Sequence, residues 1–376
     1  MIKVLYTIPN FDTAGSGKAL LNIALRLDRS RFVAEILCKH DRGAFFETVR
    51  SSGLKVHVFD YETPMRPLLG GLKGCWKVSR RFRSMDPDII HSFHYSADYS
   101  EALASRMAGI PWVYTKKNMG WHGPSLNSWK MRTRLARHVL VQNTDMFGFF
   151  TGFPNDRFTL VPRGVNTSEF LPVHGQEAKR IKRRALHLDE DARQIVCVAN
   201  LVPVKGVEVL IKAFGTLAEA HPGWNLLVVG ENDSEYGRSL QALAATIGLE
   251  GRVLFTGKRQ NVRDYLNASD VFVLPTLDEG RREGSPVSML EAISSGLLVY
   301  GSRIAGIRDQ LSEFPEHLFN PGDASDLSVK LARAMGMDDD QHAKVAQGVR
   351  DRVMSGFNID VEVRRHEDVY TRVCGR

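Results

Sequence analysis

A chain of 376 residues is too long for one ordinary hydrophobic core and fits two domains of roughly 150 to 200 residues each. Apolar residues make up 43% and charged residues 25%, which excludes a disordered class, and no apolar run approaches the ~20 residues of a membrane-spanning helix. The net charge of +7 favours anionic partners: nucleic acid, a phosphorylated small molecule or an anionic lipid surface.

Residues 1–8 read as a strand rather than a secretory leader. The four cysteines (Cys38, Cys75, Cys197, Cys374) show neither CxxC spacing nor the density of a disulfide framework, so a reducing cytoplasm is the expected location. Strands are predicted at 3–8, 33–38, 56–59, 88–91, 112–115 and 139–141, and Leu20, Ile23, Ala24 and Leu27 mark a helix between the first two. This alternation is that of a parallel sheet covered by crossover helices, an α/β fold.

The first strand runs into Asp12, Thr13, Ala14, Gly15, Ser16, Gly17 and Lys18, then a helix. Glycines at such a turn let backbone N–H groups approach a phosphate. A P-loop would need glycine at Asp12 and Ser or Thr at Ala19, and a dinucleotide fingerprint would need glycine at Leu20, so a simple tight turn fits as well as a ligand site. His91 and His94, at and after the fourth strand, are expected to face a cleft as acid/base groups, hydrogen-bonders or metal ligands; with no carboxylate cluster beside them, no metal is expected. Three basic clusters, around Arg80 to Arg83, Lys130 to Arg137 and Lys179 to Arg184, read as solvated helix faces. Trp121 and Trp129 with the basic helix at 130–138 could present an amphipathic face to an anionic membrane, although Met131, Leu135 and Val139 could equally be core.

Residues 173–193 are charged and poor in β-branched side chains, which places the domain boundary near Val173: a first domain 1–172, a second 173–355, and a last helix 356–376 expected to return to the first. The α/β pattern restarts with strands at 195–199, 226–229, 253–256, 271–274 and 297–300. The first of these leaves through Asn200, Leu201, Val202, Pro203, Val204, Lys205 and Gly206, placing a lysine at a strand's carboxyl end, where it could stabilise a leaving phosphate or simply be solvated. Further on, Glu283, Gly284, Ser285, Pro286, Val287, Ser288, Met289, Leu290 and Glu291 put one carboxylate before a helix and the next about two turns in, ~12 Å along its axis. Two carboxylates so spaced suit an elongated polyhydroxylated ligand and are too far apart for a glycosidase pair. An exposed cap plus a helix glutamate fits the spacing equally well. The run Asp338 to Asp340 reads as a solvated loop.

These residues carry a resemblance. The early Gly15 loop, Val161-Pro162-Arg163-Gly164-Val165-Asn166 before Phe170, the Pro203/Lys205-Gly206 turn, and Glu283 and Glu291 with seven residues between them occur in that order across nearly the whole chain. Together they resemble the family 4 retaining glycosyltransferases, also called group 1 glycosyltransferases, of GT-B architecture. The resemblance implies two Rossmann-like, doubly wound domains facing each other across a cleft, and transfer of a sugar with retention from a nucleotide-sugar to a saccharide or lipid-linked acceptor, without a metal or other cofactor. It further implies that Gly15 and Lys205 contact the donor diphosphate, Glu283 the sugar hydroxyls and Glu291 the ribose. Gly257, Lys258 and Arg259 would lie near the base, and Asn200, Gly284, Ser285, Pro286 and Val287 would complete the donor site. Lys205, Glu283, His94 and Lys117 are the expected catalytic residues. The chain departs from the family at Asn200, where an arginine is frequent, and at Lys117, where a histidine is frequent; Lys116, Lys117 or Arg163 could restore the missing charge.

UDP is the expected nucleotide, GDP the next. The rival readings are a GT-B-like nucleotide-sugar epimerase or phosphorylase, or a non-catalytic nucleotide-sugar or nucleic-acid binder. Nucleic acid is disfavoured because the basic clusters lack interleaved aromatics.

Overall fold

The computed structural model describes residues 1–12, 14–120, 125–279 and 284–375. The chain divides into two compact units, residues 1–162 with 359–376, and residues 163–358.

In the first unit the strands are β1 (Ile2–Ile8), β2 (Phe32–Cys38), β3 (Lys55–Val58), β4 (Ile89–Ser92), β5 (Trp112–Lys116), β6 (His138–Val141) and β7 (Phe158–Leu160). The helices between them are α1 (Ala14–Arg26), α2 (Phe46–Arg50), α3 (Leu68–Met85), α4 (Ser100–Ala108) and α5 (Leu126–Leu135). Among the described residues the strands form one parallel sheet in the order β3-β2-β1-β4-β5-β6-β7. Strands buried on both faces need continuous apolar runs, which is why β1 reads IKVLYTI without polar alternation.

The second unit holds strands β8 (Arg193–Val198), β9 (Trp224–Val229), β10 (Val253–Gly257), β11 (Val271–Leu274), β12 (Leu298–Ser302) and β13 (Leu318–Phe319), in the parallel order β10-β9-β8-β11-β12-β13. Its helices are α6 (Gln176–Ala185), α7 (Val207–Gly215), α8 (Glu235–Thr246), α9 (Val262–Asn267), α10 (Val287–Ser294), α11 (Ile307–Gln310), α12 (Ala324–Met335) and α13 (Asp339–Phe357). Asp338 caps α13 by a reciprocal exchange with Gln341, so the acidic run is a helix start rather than a loop.

The last helix, α14 (Ile359–Cys374), belongs to the first unit. Val363, Val369 and Tyr370 join the core beneath β1, where the Tyr370 hydroxyl donates to Tyr6 Oη at 3.0 Å. His91 Nδ1 lies 2.6 Å from the same hydroxyl and its Nε2 2.8 Å from Thr115 Oγ1. His91 is fully buried in this network and does not face a cleft, contrary to the expectation from its place beside His94.

The division falls after Pro162, earlier than the charged stretch at 173 suggested. Val165 N–H donates to Phe357 O at 2.9 Å, Phe170 is buried in the second core, and Ser294 Oγ donates to Phe170 O at 2.6 Å. Segment 163–172 thus packs as part of the second unit although it carries no helix or strand period. Two basic clusters are also not simply solvated. Arg183 and Lys179 hold the fully buried Asp270 at 2.7 and 2.9 Å. Burial alone would raise that carboxyl, but the two cations and the Gln194 N–H keep it below the usual range. Arg132, fully buried, donates to Asp98 O and to Ser92 Oγ while its guanidinium lies over the Trp112 and Tyr114 rings.

Candidate functional site

Strand order reverses at β8/β11 in the second unit and at β1/β4 in the first, and loops at the carboxyl ends of such a pair are where open α/β sheets gather ligands. In the second unit the segments after β8, β11 and β12 meet there. Lys205 ends a short turn after β8, and Gly206 follows with φ +61°, opening α7. A Cβ on Gly206 would collide with Pro275 O, and Leu277 N–H donates to Val204 O at 2.8 Å, so the lysine turn is fastened to the segment after β11. Gly306, with φ +81°, lies so close to Gly284 O that a Cβ could not be accommodated. The Ser285 hydroxyl accepts from Arg163 N–H at 3.3 Å and from Gln310 Nε2 at 3.2 Å, and Gln310 also donates to Pro286 O at 3.1 Å.

Burial pushes the Lys205 ammonium down to about 8, with the Cys197 thiol acting weakly in the other direction. Pro286 is the N-cap of α10 and offers no side-chain acceptor to the first-turn N–H groups, beginning at Val287. Such a helix start favours negative charge. Glu291 is half-buried farther along α10, and Asn200 is exposed just beyond β8. Glu283 lies outside the described residues. Gly257, with φ +75°, closes β10, and Lys258 and Arg259 follow it exposed.

Two supports of this edge carry no signal in the sequence. Tyr236 donates to Glu208 and accepts from Val207 N–H at 3.1 Å, bracing the start of α7 next to Lys205. Asn232 lies beside Gly257, its Oδ1 3.4 Å from the place a Cβ would take. The members of each pair are separated by 28 and 25 positions, so no local spacing signals them.

In the first unit Gly15 lies in the first turn of α1, and beyond its chain neighbours and its own helix backbone no described atom lies within 4 Å of where its Cβ would be. Lys117 donates to Phe93 O, lies 3.4 Å from Ser16 Oγ, and sits 3.6 Å from the Tyr95 ring centroid, so it is brought to the glycine loop. His94 Nε2 lies 2.8 Å from Glu62 Oε1 and its Nδ1 3.1 Å from Ser96 Oγ. Glu62 is also paired with Lys39 at 2.7 Å. Burial works against ionisation of Glu62, but the His94 and Lys39 contacts outweigh it and hold the carboxyl at about 2. Neither Glu62 nor Lys39 was singled out in the sequence, because they follow two other strands, β3 and β2.

Trp129 and Arg132, of the basic, Trp-bearing segment that could equally be a membrane face or core, are buried in α5. Trp129 is 8% exposed, with Lys116 Nζ 4.4 Å from its ring centroid, and Arg132 is in the core; Trp121 lies outside the described residues. Among the described residues no group of three or more His, Cys, Asp or Glu is placed to hold a metal ion, and no helix is long and apolar enough to cross a membrane.

Two family models match the chain, a glycosyl transferase 4-like domain over residues 14–147 and glycosyl transferases group 1 over residues 178–351. A glycosyltransferase of Haemophilus influenzae is 31% identical over 323 residues, 85% of this chain and 86% of that protein. The Escherichia coli UDP-Gal:alpha-D-GlcNAc-diphosphoundecaprenol alpha-1,3-galactosyltransferase is 25% identical over 365 residues, 92% and 90% of the two chains. Among solved structures, a glycosyltransferase from Rickettsia africae superposes with TM-score 0.85 at 16% identity, covering 99% of this chain and 98% of that one. Anabaena HepE in complex with UDP and glucose superposes with TM-score 0.81 at 20% identity, covering 99% and 100%.

Proposed function

The chain belongs to the group 1 glycosyltransferases, and from that premise we propose that it transfers a sugar with retention from a UDP-sugar, a GDP-sugar being the second candidate, to a saccharide or lipid-linked acceptor in cell-envelope polysaccharide or glycoconjugate synthesis. One observation carries the reading: a desolvated lysine, Lys205, is fastened at a topological switch point to the segment that leads into α10, whose start has no side-chain cap. A cation and a helix N-terminus together form a site for a diphosphate.

In this reading Lys205, the α10 N–H groups and Gly15 take the diphosphate. Glu283 takes the sugar hydroxyls, Glu291 the ribose, and Gly257, Lys258 and Arg259 the base, with Asn200, Gly284, Ser285, Pro286 and Val287 forming the wall. The acceptor lies with the first unit, near His94 and Lys117. The bond from the anomeric carbon to the diphosphate oxygen breaks, the acceptor oxygen bonds to that carbon on the same face, and the hydroxyl proton passes to the leaving diphosphate. The protein contributes positioning and charge. Charge stabilisation is assigned to side chains and backbone, so transfer proceeds without a metal and survives EDTA.

The names of the relatives support a UDP-sugar and a diphosphate-linked lipid acceptor. The test is transfer from UDP-sugars to isoprenyl-diphosphate-linked saccharides, with the anomeric configuration of the product read by NMR. Donor turnover without any acceptor would favour an epimerase, and a requirement for free phosphate would favour a phosphorylase. An inverted product would remove retention.

A cytoplasmic protein using such an acceptor would work at the inner membrane face, and a different helix supports that reading. On α3, Leu69 is 84% and Trp76 51% exposed, among Lys73, Lys77, Arg80, Arg81 and Arg83 and with no acidic residue in the helix. Such a face suits an anionic bilayer. Sedimentation with phosphatidylglycerol vesicles should be lost in a Leu69→Ser/Trp76→Ser variant.

A further inference from the structure

The amino-terminal ends of β5, β6 and β7, opposite to the edge that carries His94 and Lys117, surround a second concave site. A cavity of about 420 Å³ there is lined by Arg106 from α4, Arg134 from α5, and Arg137 and Arg157 from the turns before β6 and β7. No acidic residue lines it. Among the described residues none of the four guanidinium groups forms an ion pair, and the acid that acts on Arg157 is its neighbour Asp156.

The positive charge here is not a loose surface feature. Arg157 Nη2 donates to Thr133 O at 2.8 Å and to Ala136 O, which holds this half-buried guanidinium against the end of α5. Burial and then the Arg137 charge push its ionisation below the usual arginine range. His138, at the start of β6, is driven down to about 4 by burial and by the charges of Arg372 and Arg157. The fold therefore keeps like charges together at a partly desolvated place, where repulsion is stronger than in water. The same cavity wall includes Trp112, 1% exposed, whose indole N–H is buried and without a hydrogen-bond partner. Four guanidinium groups lining one cavity with no carboxylate among them suit an acceptor-rich anion.

We propose that this cavity, lined by Arg106, Arg134, Arg137, Arg157 and Trp112, is a phosphate-binding site separate from the transferase site. It takes a phosphate or diphosphate group, carried either by a lipid headgroup or by a free phosphorylated metabolite. The proposal stands independently of the donor assignment, because it uses none of the residues given to transfer.

Inorganic pyrophosphate is the probe, titrated calorimetrically into the full chain. A Lys205→Ala background removes the donor-side site, and Arg134→Gln/Arg137→Gln is added to it; both arginines are exposed, so the fold is retained. The Lys205→Ala protein should bind pyrophosphate saturably, and the added substitutions should weaken binding about tenfold or more. Arg134→Gln/Arg137→Gln alone should leave the turnover of a soluble acceptor unchanged. In parallel, sedimentation with phosphatidylglycerol vesicles and with phosphatidylcholine vesicles separates the sources. Loss of phosphatidylglycerol binding in the arginine variant supports a lipid headgroup, whereas pyrophosphate binding with unaltered vesicle behaviour supports a free metabolite. No saturable binding in the Lys205→Ala background, or equal affinity with and without the arginine substitutions, overturns the proposal, whatever the outcome of transferase assays.

Discussion

Lys205 connects the donor reading to a measurable pH dependence. Burial lowers its ammonium from 10.5 to about 8, which corresponds to roughly 3 kcal/mol of disfavoured charge at neutral pH. An anionic nucleotide on that ammonium would restore its basicity, so above pH 8 the free protein must take up a proton to bind. UDP affinity is then expected to fall about tenfold between pH 7 and pH 9, above the second phosphate ionisation of the nucleotide near 6. In Lys205→Met the affinity at pH 7 is weaker and its dependence over the same range is flat. The sign for stability is opposite. A lysine depressed in the fold destabilises it while protonated, so Lys205→Met is the more stable protein at pH 7, by up to roughly 3 kcal/mol, and the difference closes as pH rises from about 8 to 10.5. Calorimetric titration with UDP and thermal unfolding at three pH values measure both. An affinity that does not change from pH 7 to 9 in the parent protein, or that falls identically in the methionine variant, refutes the placement of Lys205 on the diphosphate.

Gly15→Ala meets no described atom within 4 Å beyond its chain neighbours and its own helix backbone, so it should leave the melting temperature within about 2 °C while lowering kcat/KM tenfold or more if a phosphate approaches that backbone; unchanged kinetics would remove Gly15 from the site. Arg183→Met leaves the buried Asp270 without its 2.7 Å partner and should cost about 3 to 5 kcal/mol in urea unfolding, and a loss below 1 kcal/mol would contradict the ion-pair account. Glu62→Gln should remove roughly 2 kcal/mol of stability at pH 7, after allowance for solvent screening. Because the native carboxyl is held at about 2, that contribution is present above 4.5 and is lost as pH falls towards 2, so parent and variant should converge in acid unfolding.

Eleven of the thirteen strands among the described residues were readable as short apolar runs, β7 and β13 being too short to show, and the position of Lys205 was readable because it lies in the turn that leaves β8. Arg132 and Arg183 were not. Their clusters have the composition of solvated faces, and only the packing of α5 on Trp112 and Tyr114, or of α6 against Asp270, turns Arg132 of the one cluster and Arg183 with Lys179 of the other inward. The Glu62–His94 pair was hidden for a related reason: crossover connections bring loops together that are 32 positions apart, and no local periodicity records that. The division after Pro162 was missed because 163–172 is irregular backbone fixed by hydrogen bonds to Phe357 and Ser294, far away in sequence.

The return of α14 to the core of β1 bears on biosynthesis. Residues 163–358 are one uninterrupted stretch and can complete their fold as soon as they leave the ribosome, whereas the unit translated first must wait for Val363, Val369 and Tyr370. Until Val363, Val369 and Tyr370 emerge, Tyr6 and His91 lack the Tyr370 hydroxyl and part of the first sheet's apolar surface stays uncovered. The order in which the two units mature is thus the reverse of the order in which they are synthesised.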